Sequence, residues 1–160
     1  MPFATWLAGG RILASKLNDI SGIWTAYTPV WSVSSGAAPS VGNGSLVAER
    51  SLNGGTCHVR CSLVFGSSTT PGGGIWQFSL PFTAATLASA QMGWMGSSLA
   101  SDPGAALYPG VVQVASGASI VTCISPATAS GGVTAGWNSV RPFTWATGDY
   151  LSFSLTYQYA

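Results

Sequence analysis

Formal charge is what this sequence lacks. Asp, Glu, Lys and Arg make up 6% of its 160 residues, where a soluble domain carries about a quarter. The five cations, Arg11, Lys16, Arg50, Arg60 and Arg141, are scattered and nearly balanced by Asp19, Glu49, Asp102 and Asp149, for a net charge of +1. Displacing counterions from a phosphate backbone needs clustered cations, so nucleic acid is excluded as a partner. Long apolar runs are missing as well. The stretch "MPFATWLAGGRILASKLNDI" has neither the basic start nor the unbroken apolar core of a signal peptide, and the expectation is a chain made in the cytoplasm and soluble there, without membrane insertion.

The same scarcity restricts chemistry. Cleaving a glycosidic bond takes two carboxyl groups flanking it, and each of the four acids has a structural role available. Asp149 in "TGDY" and Asp102 in "SDPG" sit in turns, Asp19 lies near a helix end, and Glu49 is next to Arg50 on a strand. The stretch "CHVRC" does not make a zinc site, because Cys57 and His58, adjacent in a strand, point to opposite faces and the C-x2-C spacing is absent. No G-x-S-x-G elbow precedes a helix, and the glycine runs lack the Lys and helix of a phosphate loop. No catalytic residue, metal or cofactor is expected. Cys57 and Cys61 stand about 13 Å apart along a strand, too far for a disulfide. Either could reach Cys123, though buried free thiols are the favoured reading.

What the sequence does contain is alternation. In "GDYLSFSLTYQYA", Leu151, Phe153, Leu155, Tyr157 and Tyr159 fall on one side of an extended chain and Ser152, Ser154, Thr156 and Gln158 on the other. "CHVRCSLVF" repeats the pattern, with Cys57, Val59, Cys61, Leu63 and Phe65 opposite His58, Arg60, Ser62 and Val64. Period two from Trp24 onward predicts strands over 24–33, 45–52, 57–65, 75–80, 91–98, 106–115, 119–125 and 149–159. About eight strands fit an all-β fold, an antiparallel β-sandwich of jelly-roll type. "NGG" at 53–55 and "SGAS" at 116–119 are turn signals. At Pro109 and Gly110 the alternation slips, which predicts a bulge or an edge position. Loops at 66–74 and 126–138 are long enough to be functional.

The first 23 residues read differently. Leu13, Leu17 and Ile20 form a narrow apolar stripe on a short helix, which must pack on something, either its own domain or other copies in a neck. The domain boundary is placed there: 1–23 as an anchoring or trimerisation segment that includes Trp6, and 24–160 as the β domain. Of the seven tryptophans, Trp76 shares a strand face with Phe78 and Leu80 and reads as core. Trp137, in a glycine-rich loop with Asn138 and Arg141, is the candidate for ligand contact.

Several motifs together, "WTAYTPVWS", "GNG" at 42–44, "FGSSTT" at 65–70, "WQFSLP" at 76–81 and "FTWATGD" at 143–149, resemble a β domain of virion proteins from tailed bacteriophages that infect actinobacteria. Such domains occur at the ends of tail fibres and as small minor tail or head-fibre proteins. The leader "FATWLAGGRILASKLNDI" is similar to the segment that starts those proteins. The resemblance implies a homotrimeric, non-enzymatic structural protein of the virion, attached to other virion proteins through residues 1–23. A tail position facing the host envelope, with a cell-surface glycan as partner, is favoured over capsid decoration or a head fibre. The enzymatic rival is a cell-wall glycan depolymerase using two of Asp102, Asp149 and Glu49. The three cysteines are not required by the family pattern.

Overall fold

Wherever apolar and hydroxyl-bearing side chains alternate without interruption, the chain is extended and paired. The computed structural model describes residues 14, 22–125 and 135–160. Its strands are β1 (Trp24–Tyr27), β2 (Trp31–Val33), β3 (Ser45–Asn53), β4 (Thr56–Val64), β5 (Trp76–Ser79), β6 (Gly93–Asp102), β7 (Ala106–Ala115), β8 (Ile120–Ser125), β9 (Ala135–Gly136) and β10 (Tyr150–Gln158). All pairings are antiparallel, and the order is β1-β3-β4-β10-β6-β7-β8-β5-β2, with β9 on β8. The all-β antiparallel class matches the expectation. Among the described residues the eight predicted runs become nine strands, a tenth, β9, lies in the expected loop at 126–138, and the two layers are halves of one sheet curled into a half-barrel.

The expected strand over 24–33 is the main departure. It breaks at Pro29, which lacks an N–H for the ladder, and yields β1 and β2 at opposite ends of the strand order. Only Thr28, Pro29 and Val30 join them, and the four Cα steps from Tyr27 to Trp31 reach about 14 Å at most. The two rims of the sheet are therefore neighbours. The ring contact between Phe78 of β5 and Phe153 of β10, with centroids 5.4 Å apart, shows the same closure, since three strands separate β5 from β10 in the sheet.

The hairpin of β6 and β7 carries the chain from one half to the other. Strand β10 pairs with Ser97–Ser101, whereas β8 pairs with Val111–Gln113, which stand opposite Met95–Ser97. The two neighbours thus grip opposite ends of the ribbon. Glycines mark the crossing: a Cβ on Gly96 would collide with the carbonyl oxygen of Ser154, and one on Gly110 would lie 2.6 Å from the Trp137 ring. The ladder runs unbroken through Leu99 opposite Pro109, so there is no bulge. Pro109 lies in the part of β7 that β8 leaves unpaired, the edge position of the two alternatives.

Between the halves lies an aromatic core. Trp31, Phe65, Trp76 and Trp145 pack with centroid separations of 5.2 Å for Trp31–Trp76, 4.8 Å for Trp76–Trp145 and 5.0 Å for Phe65–Trp145. Each such pair adds about 0.5–1.5 kcal/mol to the gain from area burial. Cys57, Val59, Cys61, Leu63 and Phe65 are buried, as are Leu151, Phe153, Leu155 and Tyr157, so both alternations point inward as read. Asn53 pairs with Thr56 across Gly54 and Gly55, with Gly54 at a φ of 60°, the tight turn that "NGG" announced. All three cysteines are free and buried. Trp6, Leu13, Leu17 and Ile20 lie outside the described residues, as do positions 126–134 of the second long loop.

Candidate functional site

The alternation that fills the core sends the other half of each side-chain set outward, and on β3, β4, β10 and β6 these line up in rows. Glu49, Arg60, Ser154 and Ser97 are successive cross-strand partners. One row along come Val47, Ser62, Ser152 and Leu99. On the other side, Trp24, Ser51, His58 and Thr156 form a third row. This outer face is not flat. A hollow of about 750 Å³ covers the first two rows, and one of about 310 Å³ runs along Trp24, His58, Met95 and Thr156. The two share Ser97 and Ser154.

Charge in this trough is self-cancelling. Arg60 donates to Glu49 Oε2 from Nε and from a terminal guanidinium nitrogen, each at 2.6 Å. Its guanidinium lies over the Trp24 ring, 4.2 Å from the centroid, a cation–π contact. Arg60 lines the larger hollow and Trp24 the smaller, so their stack divides the two. Two pairs of floor side chains are bonded to each other: His58 Nδ1 with Thr156 Oγ1 at 2.9 Å, and the hydroxyls of Ser97 and Ser154 at 3.2 Å. Trp24 is 41% exposed, and the apolar side chains of Val47 and Met95 also face outward. Among the described residues, Glu49 is the one carboxylate in the walls of either hollow.

The ring expected to meet a ligand does something else. Trp137 is fully buried, and its indole N–H donates to Ser125 Oγ at 2.9 Å. Gly110 makes this possible, because any side chain there would occupy the space of the ring. Asn138 and Arg141 exchange backbone hydrogen bonds at 3.2 Å, and their carbonyl oxygens both accept from the Trp145 indole N–H, at 3.0 and 3.1 Å. The Asn138 side chain accepts from the Val140 N–H at 3.0 Å. Arg141 is exposed and Asn138 half-buried. The trio therefore buttresses Trp145 and forms no stacking platform, which corrects the expectation for Trp137.

Among the acids, Asp149 is buried, and its Oδ2 accepts from the Ala146 N–H at 2.5 Å. Burial raises its pKa, the hydrogen bond from Ala146 pulls it back, and the neighbouring Asp102 pushes it up again. Asp102 and Asp149 adjoin Ser101 and Tyr150, which pair across β6 and β10. Glu49 stands apart from them, on β3 and tied to Arg60. Among the described residues, no group of three or more His, Cys, Asp or Glu side chains is placed to hold a metal ion.

Sequence reading missed the trough. A signal was present: Glu49 and Arg60 each stand four positions from the Asn53–Thr56 turn pair, so the hairpin fixes them opposite one another. The place of Trp24 above them was not visible, because it depends on β1 reaching the outside of β3.

No protein-family model matches the chain, and no solved structure matches it. A curated relative does, the Mu-like prophage FluMu defective tail fiber protein of Haemophilus influenzae. It is 36% identical over 122 residues, which cover 74% of this chain and 18% of the relative. The chain thus spans less than a fifth of that protein's length. A Haemophilus prophage gives no support to the actinobacterial host that the motifs suggested. The similarity supports a phage protein of tail-fibre type.

Proposed function

We propose that the chain is a structural, non-enzymatic part of a phage tail fibre, carried on the virion as a trimer near the fibre tip, where it contacts the host envelope. The observation that carries this is its 36% identity to part of a tail fibre protein. The physical support is the 6% charge, since a surface shared with other copies does not need the mixed charges that keep a monomer soluble. Residues 1–23 attach the domain to the rest of the fibre.

Two measurements test this. Gold-labelled antibody against the chain should decorate the tail ends of virions, and label confined to heads would overturn the placement. Sedimentation equilibrium of the full chain should give a trimer, and a stable monomer at micromolar concentration would overturn the assembly.

A further inference from the structure

We propose that the outer trough of β3, β4, β10 and β6 binds a neutral oligosaccharide, with one sugar ring against the Trp24 indole and the following units across the serine rows. This rests on the host-facing reading above and names the chemistry of its ligand.

Trp24 is placed to stack. Arg60 covers one part of its ring at 4.2 Å, yet the side chain stays 41% exposed along the smaller hollow. A half-exposed indole beside a polar floor suits the C–H face of a pyranose, apolar on its face and hydroxylated around its edge. The floor is rich in hydroxyls. Ser97, Ser154 and Thr156 offer hydroxyls that donate and accept, as sugar hydroxyls do, and His58 adds a ring nitrogen. Arg60 and Glu49 add donors and acceptors whose charges cancel. A ligand with a formal charge would find no uncompensated partner among the described residues that line the trough, whereas a neutral polyol would find both hydrogen-bonding roles.

Hollows of about 750 and 310 Å³ that meet at Ser97 and Ser154 hold more than one sugar. Hydrolysis takes two carboxyl groups about 5–9.5 Å apart, and among the described residues Glu49 is the one carboxylate that lines either hollow.

The test uses the full chain with maltotetraose, cellotetraose and chitotetraose, and tetragalacturonate as the charged counterpart. Saturation-transfer NMR should show contact with at least one neutral tetrasaccharide and none with the anion. Affinity from titration calorimetry should fall about tenfold in Trp24→Ala, the loss of one stacking contact, and remain close to wild type in Trp24→Phe. Near-UV circular dichroism checks that the variants are folded, and Met95→Arg, which obstructs the smaller hollow from outside the core, gives an independent loss. No transfer to any neutral sugar at millimolar concentration overturns the site, as does equal affinity in folded Trp24→Ala and Met95→Arg. Burial of Trp24 between copies in the assembled protein, read as loss of its quenching by acrylamide, overturns it in favour of a subunit contact. Labelled protein that adheres to host cells but binds no sugar removes this proposal and keeps host contact. Sugar binding without adhesion does the reverse.

Discussion

The indole N–H of Trp137 donates to the Ser125 hydroxyl at 2.9 Å with the ring fully shut off from water. That places Trp137 among the groups that hold β8 and β9 together, through its backbone N–H to Cys123 as well as its side chain. Trp137→Phe keeps most of the packing and leaves Ser125 without its donor, for an expected cost of about 1–1.5 kcal/mol. Trp137→Ala empties a large buried space and should cost about 3–5 kcal/mol. Urea unfolding measures both, and neither substitution should change sugar binding while the variant is folded.

Two glycines separate steric from conformational need. Gly96 lies under the Ser154 carbonyl, so an added methyl must push β6 away from β10. Gly104 has open space around it but a φ of 87° in the β6–β7 turn. Gly96→Ala should cost about 3 kcal/mol, with loss of amide-exchange protection around Ser97 and Ser154. Gly104→Ala should cost about 1–2 kcal/mol with that protection intact. Equal exchange profiles in the two variants would refute the close approach.

Much of this fold is written locally. The inward sets of β4 and β10 follow from alternation alone, and the β3–β4 register follows from the Gly54–Gly55 turn, which is why Glu49 against Arg60 was there to be read. Closure of the sheet was not, because nothing near Pro29 says that β1 joins β3 while β2 joins β5. Trp137 was misplaced for the same reason. Its glycine-rich surroundings suggest an exposed loop, while the glycine that houses the ring is Gly110, 27 residues earlier on another strand. Trp24 joins the trough only through that long-range pairing, so the candidate site became visible after the strands were ordered.

The thiols should behave as core. Burial pushes Cys61 up to about 12, and it raises Cys57 and Cys123 as well. The thiolate is the reactive form, so at mildly alkaline pH the native protein should leave a thiol-disulfide reagent such as Ellman's reagent unconsumed. In denaturant all three cysteines should react. Rapid labelling of the native protein would contradict the burial, and a single reactive thiol in denaturant would reveal a disulfide.

Asp149 gives stability an unusual dependence on pH. Burial, helped by Asp102, raises its pKa from the ordinary 3.8 against the opposing pull of the Ala146 hydrogen bond. The folded protein therefore keeps this proton to higher pH than the unfolded chain does. The resulting stabilisation is complete below the unfolded value and is lost as pH rises through the folded one. Asp149→Asn retains an oxygen to accept from Ala146 but cannot titrate. The melting temperature of the wild type relative to this variant should be highest below the ordinary value of 3.8 and should decline as pH rises above it. Asp102→Asn, which removes the neighbouring negative charge, should shrink that decline. A wild-type advantage that grows with pH would mean that the Ala146 hydrogen bond outweighs burial and holds the carboxylate in its charged form.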